Sequence, residues 1–195
     1  MISPQPTRRD ALLTLAALSA LPLAAQGATP SVPGDSVYQV RASLVDQDGR
    51  AIEFDTMRGN PVLISMFYAS CQMVCPMIFE TIHATLTAMP AADRKAVRVL
   101  MVSFDPARDS VEVLKKTALQ RGCDSQWTLA RCDEATARKV AAVLGIQYRR
   151  LADGEFNHST IVTLLDREGR IAAKTGKLGS VDPAIVKGVH KLAAA

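Results

Sequence analysis

Aromatic side chains are scarce in this chain of 195 residues, which has one tryptophan, three tyrosines and five phenylalanines. Basic residues are scattered rather than striped and the net charge is only +4. With so few rings and no basic stripe, a nucleic-acid-binding surface has no support. The sequence also lacks internal repeats and low-complexity tracts. Its one long apolar stretch, residues 11–25, would span about 22 Å as a helix, short of a ~30 Å hydrocarbon core. What is present is ordinary globular material: 48% apolar and 22% charged residues, enough for one domain with a real core. Four cysteines and three histidines are few enough to be weighed one by one.

The amino terminus is set apart from the fold. Arg8 and Arg9, the apolar stretch and the small residues 24–28 make the three-part layout of a secretory signal. Thr7-Arg8-Arg9-Asp10-Ala11-Leu12 also looks like a twin-arginine export motif, which implies a bacterial, periplasmic protein. Cleavage near Gly27 or Ala28 is expected, and an uncleaved inner-membrane anchor is the alternative; no lipobox cysteine follows the stretch. The expected organisation is an export signal over 1–27, a linker over 28–36 and a single domain over 37–195. In an oxidising compartment most cysteines end as disulfides, so free ones would need a reason.

Within the domain, residues 37–45 and 51–54 read as a hairpin around Asp46-Gln47-Asp48-Gly49. Residues 62–67 are continuously apolar, as a strand buried on both faces would be. A helix is expected over 75–88, a second buried strand over 97–104, and a helix over 109–121 capped by Asp109 or Ser110. A short strand over 127–130 precedes a helix over 134–144 that Gly145 stops. Residues 159–165 and 171–174 form a hairpin, and 182–194 a closing helix. Alternating strands and helices predict an α/β fold of thioredoxin-like arrangement, a central mixed sheet flanked by helices with an N-terminal hairpin.

The chemistry concentrates at Cys71-Gln72-Met73-Val74-Cys75-Pro76, a strand-to-helix junction where open α/β sheets bind ligands. A helix amino terminus favours negative charge, so a thiol there ionises more readily. A spacing of four puts both sulfurs on one face of a helical turn, whereas a redox dithiol more often has the C-x-x-C spacing. His158, in Glu155-Phe156-Asn157-His158-Ser159, lies just before an expected strand whose start approaches that junction. Thiolates select copper(I), zinc or iron–sulfur clusters, and imidazole suits copper and zinc. Spacing alone leaves a structural disulfide, a redox-active Cys71–Cys75 pair and a Cys71–Cys75–His158 metal site all open.

Four motifs in order then resemble the SCO/SenC family over about residues 57–179. They are Met57-Arg58-Gly59-Asn60-Pro61-Val62, the C-x-x-x-C-P segment, Val102-Ser103-Phe104-Asp105-Pro106-Ala107-Arg108-Asp109-Ser110, and Asn157-His158-Ser159. The resemblance implies copper, as copper(I) or copper(II), held by Cys71, Cys75 and His158. It also implies a role in building the dinuclear copper centre of cytochrome oxidase. The expected partners are the oxidase's copper-bearing subunit, other copper carriers and thiol reductants. The alternative function is a thiol–disulfide oxidoreductase that keeps the partner's copper-ligand cysteines reduced. The absence of proline between Asp153 and Leu165, where thioredoxin-like reductases carry one, favours the carrier. Nothing marks a peroxidatic cysteine. The family often has Asp before the histidine, where this chain has Asn157, and often Pro where it has Gln72.

Other residues receive plainer expectations. Met73 and Met77 flank the cysteines and offer soft thioether contacts, although Met77 is expected to pack beneath its helix. His83 and His190 are expected at the surface, and Asp105 and Arg108 as fixtures of the loop after the second buried strand. Cys123 and Cys132 lie too far apart along an extended segment to be bridged.

Overall fold

The computed structural model describes residues 31–194. The expected export signal and the first residues of the expected linker lie outside the described residues. Fourteen elements follow in order: β1 (Ser43–Asp46), β2 (Ala51–Glu53), β3 (Val62–Phe67), α1 (Val74–Thr87), α2 (Ala91–Ala96), β4 (Arg98–Ser103), α3 (Val111–Gln120), β5 (Trp127–Arg131), α4 (Glu134–Leu144), β6 (Tyr148–Arg150), β7 (Phe156–His158), β8 (Val162–Leu165), β9 (Ile171–Thr175) and α5 (Pro183–Ala193). No helix among the described residues is long and apolar enough to cross a membrane.

Seven strands form one sheet in the order β2-β1-β5-β4-β3-β8-β9. The three central strands run parallel, with Val62 opposite Arg98 and Val99 opposite Trp127. Antiparallel pairs complete the sheet on both sides, β1 against β5 and β8 against β3. All six residues of β3 are buried, which is why its sequence is apolar without alternation. Its one polar side chain, Ser65, donates to the Ile161 carbonyl at 2.7 Å. α1 packs on β3, α3 on β1 and β5, and α5 on β8 and β9.

Local chemistry sets the boundaries. Ser110 caps α3 by accepting from the Val113 N–H, and Asp133 caps α4 by accepting from the Thr136 N–H. Gly145 ends α4 in the left-handed region at φ 70°. In the β8–β9 turn the Asp166 carboxylate accepts from the N–H groups of Glu168 and Arg170. Gly169 there has φ +80°, and a Cβ on it would lie 2.3 Å from the Tyr38 ring, so the turn needs glycine twice over.

Three expectations are corrected. Residues 37–39 form a 3-10 turn capped by Ser36, and the strand begins only at Ser43. α2 was absent from the sequence reading, because six residues are too few to show a helical period. His158 does not introduce a long strand over 159–165. It ends β7, which pairs only with β6 in a separate two-stranded ribbon, and β8 starts four residues later.

Candidate metal centre

β3 and β4 deliver their carboxyl ends side by side, and the site is built there. Residues 68–73 connect β3 to α1, so only Cys75 belongs to the helix, in its first turn. Cys71 precedes the helix, which corrects the expectation of two sulfurs on one helical face. The sulfurs meet because the connection curls back. Cys71 N–H donates to the Tyr68 carbonyl at 3.3 Å, and Cys75 N–H donates to Cys71 Sγ at 3.4 Å. Asp109, expected as a cap, instead accepts from the Ala69 N–H at 3.1 Å and from the Ser103 hydroxyl at 2.5 Å. Its buried carboxylate thereby ties the cysteine connection to the end of β4.

His158 arrives from the far side. Its Nε2 lies 3.7 Å from Cys75 Sγ, and the ligand atoms of Cys71, Cys75 and His158 all lie within 4.8 Å of one another. Nδ1 lies 3.2 Å from the Ser159 carbonyl, which accepts a proton only from that nitrogen. That contact selects the tautomer whose Nε2 lone pair faces the sulfurs. Residue 157, where the resembled family often has Asp, holds no carboxylate that could orient the ring. Asn157 is exposed, and the Ser159 main chain performs that task.

The electrostatics of the three donors differ. Burial would raise the Cys71 thiol, but the N–H groups of Cys75 and Met73 and the Cys75 thiol outweigh it and hold Cys71 below its ordinary value. Burial pushes Cys75 well up, and the neighbouring Cys71 adds to the rise. The helix-terminus argument therefore applies to the sulfur outside the helix. Burial also lowers His158 below the usual histidine value, which keeps the imidazole neutral and able to ligate near pH 7. Two sulfurs and one ring nitrogen make a soft three-coordinate set that fits copper, and zinc only with a fourth ligand from outside.

The remaining candidates are dispersed. Met73 is 78% exposed beside the site and Met77 39% exposed, so Met77 does not pack beneath α1 as expected. His83 is half-buried rather than on the surface: its ring lies 4.5 Å from Trp127 and its Nε2 is 2.8 Å from the Arg121 carbonyl. His190 is exposed and pairs with Asp93 at 2.8 Å. Asp105 and Arg108 pair with each other, and Arg108 also donates to the Gly154 carbonyl at 2.8 Å. All four cysteines are free, Cys123 and Cys132 included. Sequence reasoning missed the setting of His158, where Phe104 and Tyr68 lie 5.1 Å and 5.8 Å from its ring. Those two rings and His158 come from three separate stretches of chain, and no spacing rule joins them.

Comparison with known proteins gives a consistent picture. The chain is 26% identical to the ScoI protein of Bradyrhizobium japonicum, whose structure has copper bound. That superposition has a TM-score of 0.66 and covers 78% of this chain and 97% of that one. A SCO1/SenC family lipoprotein of Bacillus anthracis has the same fold, with a TM-score of 0.69, 23% identity, and 78% and 93% coverage. An SCO2-like protein of Rickettsia prowazekii is 25% identical over 133 residues, 65% of this chain and 63% of that protein. The chain spans less than two thirds of the length of the curated relatives it matches. The SCO1/SenC family model matches residues 34–194, and the chain belongs to that family.

Proposed function

We propose that this chain is an exported copper carrier that binds one copper ion through Cys71, Cys75 and His158. It delivers the ion to the copper-bearing subunit of a respiratory cytochrome oxidase. The observation that carries this reading is the convergence of two sulfurs and one imidazole nitrogen within 4.8 Å of one another. The tautomer of His158 and the lowered Cys71 thiol suit the same purpose, since a metal ion takes the deprotonated sulfur and the neutral ring. Delivery needs a site that also lets go, and a three-donor set leaves a position open for an incoming ligand. The twin-arginine-like residues 7–12 support a periplasmic location, where such a subunit presents its copper ligands.

The test is an anaerobic copper(I) titration of the reduced domain, followed by transfer to a reduced soluble copper domain of the oxidase. One equivalent bound and then transferred supports the carrier. Failure to bind copper would end this reading.

The second reading is thiol–disulfide exchange on the same partner. A lowered Cys71 thiol with a second sulfur nearby favours it. In that chemistry Cys71 thiolate attacks the partner disulfide, and Cys75 must then ionise to release the mixed disulfide, leaving Cys71–Cys75 oxidised and the partner dithiol reduced. The raised Cys75 thiol slows that second displacement. Rapid insulin reduction by the metal-free protein would favour exchange over carriage.

A further inference from the structure

Resting on the copper-site reading, the geometry points to Arg108 as a positioning residue: it latches the ribbon that carries His158 onto the cysteine connection, and Glu155 and Tyr68 complete the latch.

The need for a latch comes from topology. β6 and β7 pair only with each other. Among the described residues, the main-chain hydrogen bonds of residues 147–159 close on the ribbon itself: Leu151 N–H to the Glu155 carbonyl, Gly154 N–H to the Leu151 carbonyl, and Ser159 N–H to the Gln147 carbonyl. The histidine is therefore not placed by a sheet ladder, as residues of β3 or β8 are. Side chains must hold it against the sulfurs.

Two polar links cross the gap. Tyr68, three residues before Cys71, donates its hydroxyl to Glu155 Oε2 at 2.8 Å. Arg108 donates Nη2 to the Gly154 carbonyl at 2.8 Å, and its Nη1 lies 3.9 Å from Glu155 Oε1. The guanidinium is aimed by the buried Asp105 carboxylate, which pairs with Nε, while the Asp105 N–H donates to Ser103 Oγ at 3.0 Å. Arg108 thus bridges the end of β4 and the tip of the ribbon with its two ends occupied at once. A planar fork can do this and a lysine ammonium cannot. The guanidinium carbon also lies 5.8 Å from the Tyr68 ring centre and 5.7 Å from that of Phe156, so it stacks over the rings on both sides of the gap. The polar contacts of Arg108 go to Asp105, Gly154 and Glu155, none of them a metal donor. It acts on the site only through where it puts His158, two residues beyond Phe156.

A side chain that merely stabilised the fold would damage binding of both oxidation states alike. One that acts through the imidazole should damage the state that depends on nitrogen. Arg108→Gln is expected to weaken copper(II) binding by about tenfold or more while copper(I) binding changes by less than about threefold. In a His158→Ala background Arg108→Gln should change copper(II) binding no further, because the partner of the coupling is gone. Glu155→Ala, at a half-exposed position off the sheet, should show the same pattern in the event that Arg108→Gln folds poorly. Amide hydrogen exchange on the metal-free proteins is the independent readout: both variants should speed exchange at Leu151 and Ser159, whose N–H groups close the ribbon, and leave β3 amides unchanged. Equal weakening of both copper states, full additivity with His158→Ala, or unchanged exchange in the ribbon would each overturn the latch. A wild-type protein that binds no copper would overturn the copper-site reading, and the exchange measurement would still test the latch.

Discussion

The two halves of the metal centre are built in different ways. The cysteine half hangs from β3, whose neighbours β4 and β8 hold it on both sides by main-chain hydrogen bonds. The histidine half sits on a three-residue strand in a two-stranded ribbon, and such ribbons are marginal alone. Phe104 under Tyr148 and Phe156, with the Arg108 and Glu155 links, holds it in place. One half is therefore hung from a main-chain ladder, with the Asp109 carboxylate as its side-chain tie. The other depends on individual side chains. The proposed carrier role would use that difference, with the imidazole as the donor easier to withdraw.

The sharpest way to break the comparison is on the cysteine side. Cys71→Ala or Cys75→Ala should abolish one-to-one copper(I) binding, with the circular dichroism of the fold retained. Retained stoichiometric binding by either variant would remove the sulfur pair from the site. A smaller effect is expected on the histidine side. His158→Ala should lower copper(II) affinity by up to about a hundredfold and copper(I) affinity much less, as nitrogen superhyperfine structure disappears from the copper(II) spectrum. An equal loss for both ions would mean the two halves are not functionally distinct.

Away from both halves, Gly169→Ala should cost about 1–3 kcal/mol of stability, because alanine must adopt φ +80° and meet the Tyr38 ring. Copper stoichiometry should be untouched, which thermal unfolding with and without metal would check. The smallest effect concerns pH. Burial pushes both Cys123 and Cys132 up to about 12, from an ordinary thiol value of 9.0. A raised thiol favours the folded state in its neutral form, so the contribution is full below pH 9 and is lost as pH rises from 9 towards 12. The melting temperature of the metal-free protein should fall over that window, and the Cys123→Ala/Cys132→Ala variant should fall less steeply. An identical slope would show that these thiols take no part in the loss.

Legibility followed the length scale of each signal. β3 and β4 announced themselves by continuous apolar runs, and α4 by its cap at Asp133 and its stop at Gly145. Cys71 and Cys75 stood out because they stand four positions apart. α2 and the β6–β7 ribbon left no trace, since three to six residues cannot establish a period of 3.6 or 2. The Arg108 motif was visible as a motif, yet its reach to Gly154, 46 residues away, was not. Which cysteine carries the lowered thiol was not legible for a related reason: the helix begins at Val74, one turn later than the sulfur that receives its N–H groups.

By itself the sequence determined the strand and helix alternation, the helix caps and the glycine turns. These rest on side-chain size, polarity and backbone preference within a few residues, all of which are written locally. Tertiary structure alone decided that the donors meet, that Ser159 rather than residue 157 turns the imidazole, and that Cys71 becomes the more acidic sulfur. The Cys75–His158 contact joins residues 83 apart, so it exists only after burial of the sheet and the aromatic cluster has closed the chain between them.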